Sequence, residues 1–212
     1  MARRSARSPA HGRRAALGRF TRLRALLAGA LVLGVGGTVT LAAWTDTETA
    51  RGSFAASVFG IEGSTDGTNY AEHPATGAAA LDFTVAAGAM SPGTTVHSRF
   101  LVRTTSPTTV SGTAMLGGAT VGGTGLGASL RYGASVIPAA SACTAATFAQ
   151  GTVIVPAGSA LSAGASASQP LVAGGAAAVA YCFQVTLPAG TPNSVQGQTG
   201  TATWTITATS SS

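Results

Sequence analysis

The sequence predicts an all-β fold, an antiparallel β-sandwich, preceded by an N-terminal signal helix. Three observations carry this. Beyond residue 43, apolar side chains recur at every second position and not at helical spacing. Pairs of turn-forming residues separate those runs. The first 42 residues are built differently, with a basic start followed by an uncharged apolar stretch. The expected division is therefore a leader over residues 1–42 and a sandwich domain over 43–212.

The leader comes first. Eight of the twelve arginines lie before residue 25, and the chain contains no lysine. Residues 1–24 form a basic n-region without acids, and 25–42 an apolar h-region. Thr40-Leu41-Ala42 places small residues at the −3 and −1 positions of a signal-peptidase site, so cleavage is expected between Ala42 and Ala43. The alternative is an uncleaved anchor, since about 20 apolar residues suffice to cross a bilayer. Gly29, Gly34, Gly36 and Gly37, with Thr38 and Thr40, make this stretch a poor permanent span. Contact with membrane is expected only through the leader before cleavage. Arg13-Arg14 invites a twin-arginine reading, but Arg19, Arg22 and Arg24 intervene before the apolar run. The expected destination is the cell surface or the medium.

The strands follow. Leu81, Phe83 and Val85 alternate with Asp82 and Thr84. Val96, Phe100 and Val102 share one face, opposite His97, Arg99 and Arg103. Val179, Tyr181, Phe183, Val185 and Leu187 form one face of a long strand. Ala202, Trp204, Ile206 and Ala208 alternate with Thr201, Thr203, Thr205 and Thr207 in what reads as a single strand, since threonine and aromatics suit a pleated surface. Asp66-Gly67, Pro92-Gly93, Gly117-Gly118, Gly122-Gly123 and Gly174-Gly175 are the breakers. Short strands with such turns make a sandwich or barrel. Residues 158–168, rich in Ala, Ser and Gly, read as a surface loop. With aromatics at only 6%, the core is expected to be thin and built mostly from Val, Leu and Ala.

Charge excludes one function class. Beyond residue 25, four arginines face six acids, a net of −2. Nucleic-acid binding needs a basic patch on the folded domain, and the arginines needed for one sit in the leader.

Cys143 and Cys182 are the only cysteines. In an oxidising compartment they are expected to form one structural disulfide. Neither has a charged neighbour in sequence that would lower its pKa and make it reactive.

The junction Thr40-Leu41-Ala42-Ala43-Trp44-Thr45-Asp46, followed by Gly52-Ser53-Phe54-Ala55-Ala56-Ser57-Val58-Phe59, resembles the start of the TasA/camelysin family, whose members are exported through the signal peptidase SipW. Met90-Ser91-Pro92-Gly93 is similar to the family's Pro-Gly turn, and Gly197-Gln198-Thr199-Gly200-Thr201-Ala202-Thr203-Trp204 to the closing strand of its actinobacterial members. The match covers about residues 25–105 and 195–208. It implies a jelly-roll sandwich, export to the cell surface or matrix, a signal peptidase as partner during export and, in some members, self-association into biofilm fibres.

The camelysin branch raises the question of zinc. A zincin helix needs two histidines one turn apart with a glutamate beside the first. His73 and His97 lack that spacing, and Pro74 after Glu72-His73 disfavours a helix. Both histidines read as exposed loop or strand residues. Glu62, Asp66 and Glu72 cluster around Gly63-Ser64-Thr65-Asp66-Gly67, which matches no calcium loop and reads as a solvated hairpin turn. No nucleophile elbow accompanies a usable histidine. Leu187-Pro188-Ala189-Gly190-Thr191 has the composition of a sortase signal in the wrong order, with no apolar tail after it. The expectation is a protein that is not an enzyme, with no cofactor, no metal and no catalytic residue.

The leading functional expectation is a secreted structural protein of the surface or matrix, a fibre subunit assembling by strand addition. Residues 43–61, freed at one end by cleavage, are the candidate donor, with Phe54, Val58, Phe59 and Ile61 as apolar anchors. A monomeric adhesin or ligand-binding module on the same sandwich is the alternative. A camelysin-like protease is the third reading.

Overall fold

A computed structural model of the chain describes residues 14–36, 45–81, 83 and 89–211. The chain divides into two units, Met1–Ser53 and Phe54–Ser212. In the first, a 23-residue helix α1 (Arg14–Gly36) takes in the end of the basic region and the start of the apolar stretch. Among the described residues no helix is long and apolar enough to cross a membrane. Ala42 and Ala43 lie outside the described residues, as do Asp82, Thr84 and Val85 of the first expected strand.

The second unit is all-β, with antiparallel pairing throughout its described strands. The first sheet takes strands β1 (Ile61–Ser64) and β2 (Thr95–Thr104) at one side. The second sheet begins with β3 (Gly112–Leu116), which runs on through Gly117-Gly118 into β4 (Thr120–Gly123). After a one-turn helix α2 (Leu126–Ser129), the chain returns to the first sheet as β5 (Arg131–Ile137). Helix α3 (Ala145–Gln150) follows, then β6 (Thr152–Ala160), β7 (Gln169–Leu171), β8 (Val179–Thr186), β9 (Gly200–Thr203) and β10 (Ile206–Ser210). The five-stranded sheet is ordered β1-β2-β8-β5-β6. Facing it are β10-β3-β7 and the pair β4-β9.

The two layers share one core. Val96, Val102, Tyr132, Tyr181, Phe183 and Val185 from the first sheet meet Leu116, Trp204 and Ile206 from the second. This is the sandwich arrangement that alternating strands predict. The face Val179 to Leu187 points into it as expected. The Trp204 ring packs 5.0 Å from Phe183 and 5.4 Å from Tyr132, so aromatics fill the centre that small aliphatics leave open. The Tyr132 hydroxyl donates a hydrogen bond to the Ala163 carbonyl. Tyr181 is wholly buried, its hydroxyl has no hydrogen-bond partner among the described residues, and burial pushes its pKa up to about 12.

The first sheet is buried on its outer face too. Leu101, Ile137, Ala180 and Cys182 lie beneath Phe148 of α3 and Cys143. Thr144 caps α3 by accepting from the Thr147 amide, which fixes a helix too short to hold itself. The Cys143–Cys182 disulfide pins this cover to β8, with Cα atoms 5.2 Å apart.

Two sequence expectations are corrected. Residues 158–168 are a surface loop only in part: β6 extends to Ala160 and the chain from 161 to 168 is irregular and largely exposed, but Leu161 is buried and Ala163 and Ala165 pack against the core. Alternation persists there, but in side chains too small to advertise it. Residues 201–208 are not one strand. Their alternation is kept, but the chain breaks at Trp204-Thr205 into β9 and β10, which pair with β4 and β3 respectively.

Candidate functional site

The edges of the two sheets decide where another chain can attach, because an edge strand presents unpaired backbone groups. Four of the five edges are blunted, that of β4 because the strand is only four residues long and ends in Gly122-Gly123. β1 is four residues long, and Gly63 on it exchanges hydrogen bonds with Ala71 at 2.8 and 3.0 Å. β6 carries Pro156, a left-handed Gly158 and two register shifts against β5. β7 is three residues long with Pro170 at its centre.

The fifth edge is the run 200–210. It carries no charge and no proline. Gly117 donates to Thr205 and Ser211 to Ser111, so the odd-numbered residues of β10 bond to β3. Ile206, Ala208 and Ser210 therefore aim their N–H and C=O groups outward, with no partner among the described residues. Thr207 and Thr209 are exposed on the outer surface of this strand.

A groove of about 440 Å³ runs beside that edge, between it and β1. Ile61, Phe100 and Val102 line one wall, and Ala202, Trp204 and Ile206 the other. Glu62, Glu72 and His73 stand at its rim. The chemistry is that of an apolar slot beside an open row of backbone donors and acceptors. Such a site suits an extended segment that adds hydrogen bonds along its length and side chains at alternate positions.

The turns around the slot are fixed by charge-assisted bonds. Asp66 accepts from the Asn69 amide at 2.8 Å, the Thr68 amide at 2.7 Å, the Asn69 side chain at 2.7 Å and the Ser64 hydroxyl at 2.8 Å. These bonds, the Asn69 amide foremost, hold its carboxyl well below the usual range. Glu62 pairs with Arg103 at 2.7 Å, and the Arg103 guanidinium lies 3.7 Å over the Tyr70 ring. Arg99 donates to the carbonyls of Ser141, Ala139 and Asp66, tying the turn around Asp66 to the segment that carries Cys143.

The remaining expected site residues are placed as follows. The cysteines are joined. Ile61 starts β1 and reaches the core. Val58 is bonded through its backbone to Thr109, and the Phe59 ring sits over Gly112 where a side chain would otherwise be. These three anchors are thus engaged within their own chain, and only Phe54, 97% exposed, stands free of it. His97 is not exposed as the sequence reading had it. It is buried beside Phe148, because α3 covers the outer face of β2. His73 is exposed and meets the Phe100 ring edge-on, on the opposite face, so the two histidines do not converge. Glu62 is drawn to Arg103, away from Asp66. Among the described residues no group of three or more His, Cys, Asp or Glu side chains is placed to hold a metal ion.

The open edge and the groove escaped the sequence reading. An uncharged threonine-rich strand was visible, but its position at an edge depends on partners far along the chain.

The chain matches no known protein-family model and no curated protein.

Proposed function

We propose that this protein is exported and serves as a structural subunit at the cell surface or in the extracellular matrix, polymerising by strand addition at the 200–210 edge. The observation that supports this is the contrast among edges. Four are short, bridged or broken by proline, while the fifth offers Ile206, Ala208 and Ser210 without a partner among the described residues, beside an apolar slot. Natural sheets seldom leave such an edge without use for it.

The donor in this reading is the stretch before Val58 of a neighbouring copy. Residues 45–57 are exposed throughout and carry Phe54 as the apolar anchor. A jelly-roll topology and kinship with the TasA/camelysin group belong to the same proposal. So do a signal-peptide role for the leader, with a signal peptidase as the partner in export, and the absence of enzymatic activity.

The test uses protein beginning at Ala43, examined by size exclusion and electron microscopy. Polymers are expected. Deleting residues 43–51, or introducing Ala208→Pro, should leave a monomer with an unchanged β-type circular-dichroism spectrum. The proline removes only an outward N–H, which edge strands tolerate. Polymers that persist in both variants, or an intact chain that stays monomeric at all concentrations, would overturn the proposal.

A further inference from the structure

We propose that the Arg51–Gly52 peptide bond is a processing site for an arginine-directed endoprotease, where the β-sheet unit is severed from everything before it. This rests on the accessibility of the bond, and it bears on the assembly reading above: the cut removes residues 43–51, whose loss is expected there to leave a monomer, so in that reading processing here releases the subunit from the polymer.

A protease of this class needs a cationic side chain free to enter its specificity pocket and several residues of extended backbone on either side. Residues 45–57 are all exposed. Their only hydrogen bond to one another runs from the Thr47 amide to the neighbouring Asp46 side chain, at 2.9 Å. Arg51 makes no ion pair or hydrogen bond among the described residues. Ala50 before it and Gly52-Ser53 after it are small, and no proline follows the bond. Sheet-unit hydrogen bonding begins only at Val58, so the cut removes nothing that the sandwich uses.

No bond in the second unit competes. The chain has no lysine, and three arginines remain beyond Arg51. Arg99 and Arg103 lie within β2, the first spread over three carbonyls and the second held by Glu62 and Tyr70. Arg131 opens β5 and donates to the Ala128 and Leu130 carbonyls. Cleavage at any of these requires strands inside the five-stranded sheet to open, whereas Arg51 requires no opening at all. The reaction is hydrolysis. Water adds across the amide, its hydroxyl completing a carboxylic acid on Arg51 and its other hydrogen an amine on Gly52, and the acid's proton then passes to that amine to leave a carboxylate and an ammonium.

The full chain treated with trypsin under native conditions is the direct test, with mass spectrometry of the products over time. A fragment beginning at Gly52 should accumulate and persist, formed at least about a hundredfold faster than any cut at Arg99, Arg103 or Arg131. Arg51→Gln should abolish that fragment while cuts at the leader arginines continue. Equally early cuts within the sheet, or an unchanged fragment from Arg51→Gln, would overturn the accessibility argument. N-terminal sequencing of the protein recovered from its host, cells and medium together, tests processing itself. A population starting at Gly52 is expected, and its absence would overturn the physiological role.

Discussion

The Gly117 amide donates to the Thr205 carbonyl at 2.8 Å, and that bond sits where the second sheet changes register. Leu116 pairs with Ile206, but Thr120 pairs with Thr203. Residues 117–119 thus face only residues 204 and 205, one extra residue on the first side. This is the geometry of a bulge, which bends the strand and re-aims what lies opposite. Here it lies opposite Trp204, whose ring reaches the core between Tyr132 and Phe183. The bend needs small residues, because a Cβ on Gly118 would overlap the Ser162 carbonyl. Gly118→Ala is expected to cost roughly 1–3 kcal/mol in urea unfolding, the range for forcing atoms into filled space. Gly117→Ala, whose Cβ would stand 3.2 Å from the Thr205 carbonyl, should cost less. Equal costs at the two positions would refute this account.

The same bulge shows what can be read in the sequence. The alternation over 201–208 gives the faces correctly, since side-chain direction is a local property of extended backbone. The break at Trp204-Thr205 is imposed by an extra residue eighty or so positions earlier, and nothing local records it. The face Val179 to Leu187 is legible because its side chains are large. Leu161, Ala163 and Ala165 follow the same period but hide in a run of alanine and serine. His97 misleads for a different reason. A polar residue in a strand is ordinarily placed toward water, yet α3 closes over it. Cys182 held the missing signal, because a half-cystine on the outer face of β8 implies a covering segment there. The candidate site is the least legible part, since an open edge is a property of topology.

The disulfide supports a specific stability prediction. Cys143 and Cys182 lie 39 positions apart, and closing that loop in the unfolded chain is worth at most about 4 kcal/mol. In this fold the bond also holds Phe148 against Gly133, whose missing side chain makes room for the ring. The double variant Cys143→Ala, Cys182→Ala should therefore lower Tm by several degrees and by no more than about 8–16 °C, taking 2–4 °C per kcal/mol for a unit of this size. It should also raise hydrogen exchange over residues 138–151 before the rest of the sheet. A Tm unchanged within a degree or so would mean that the cover packs as well without its covalent tie.

Asp66 gives a pH-dependent prediction whose sign follows from its bonds. The Asn69 and Thr68 amides, with the side chains of Asn69 and Ser64, favour the ionised carboxylate in the folded chain. Its folded pKa is therefore below its ordinary value of 3.8. A depressed acid contributes stability that is complete above the ordinary value and fades as pH falls toward the folded one. Asp66→Asn keeps the shape of the side chain, removes the charge and sets a second amide against the Asn69 side chain. At neutral pH the variant should melt below the natural chain. The gap should hold down to about pH 4 and then narrow as the carboxylate of the natural chain is protonated. Arg99 anchors its guanidinium to the Asp66 carbonyl, so the loosened turn should also relax the segment that carries Cys143. Melting curves of both proteins across the acid range decide the matter. A gap that stays constant into strong acid would show that the turn depends on shape alone and owes nothing to the charge.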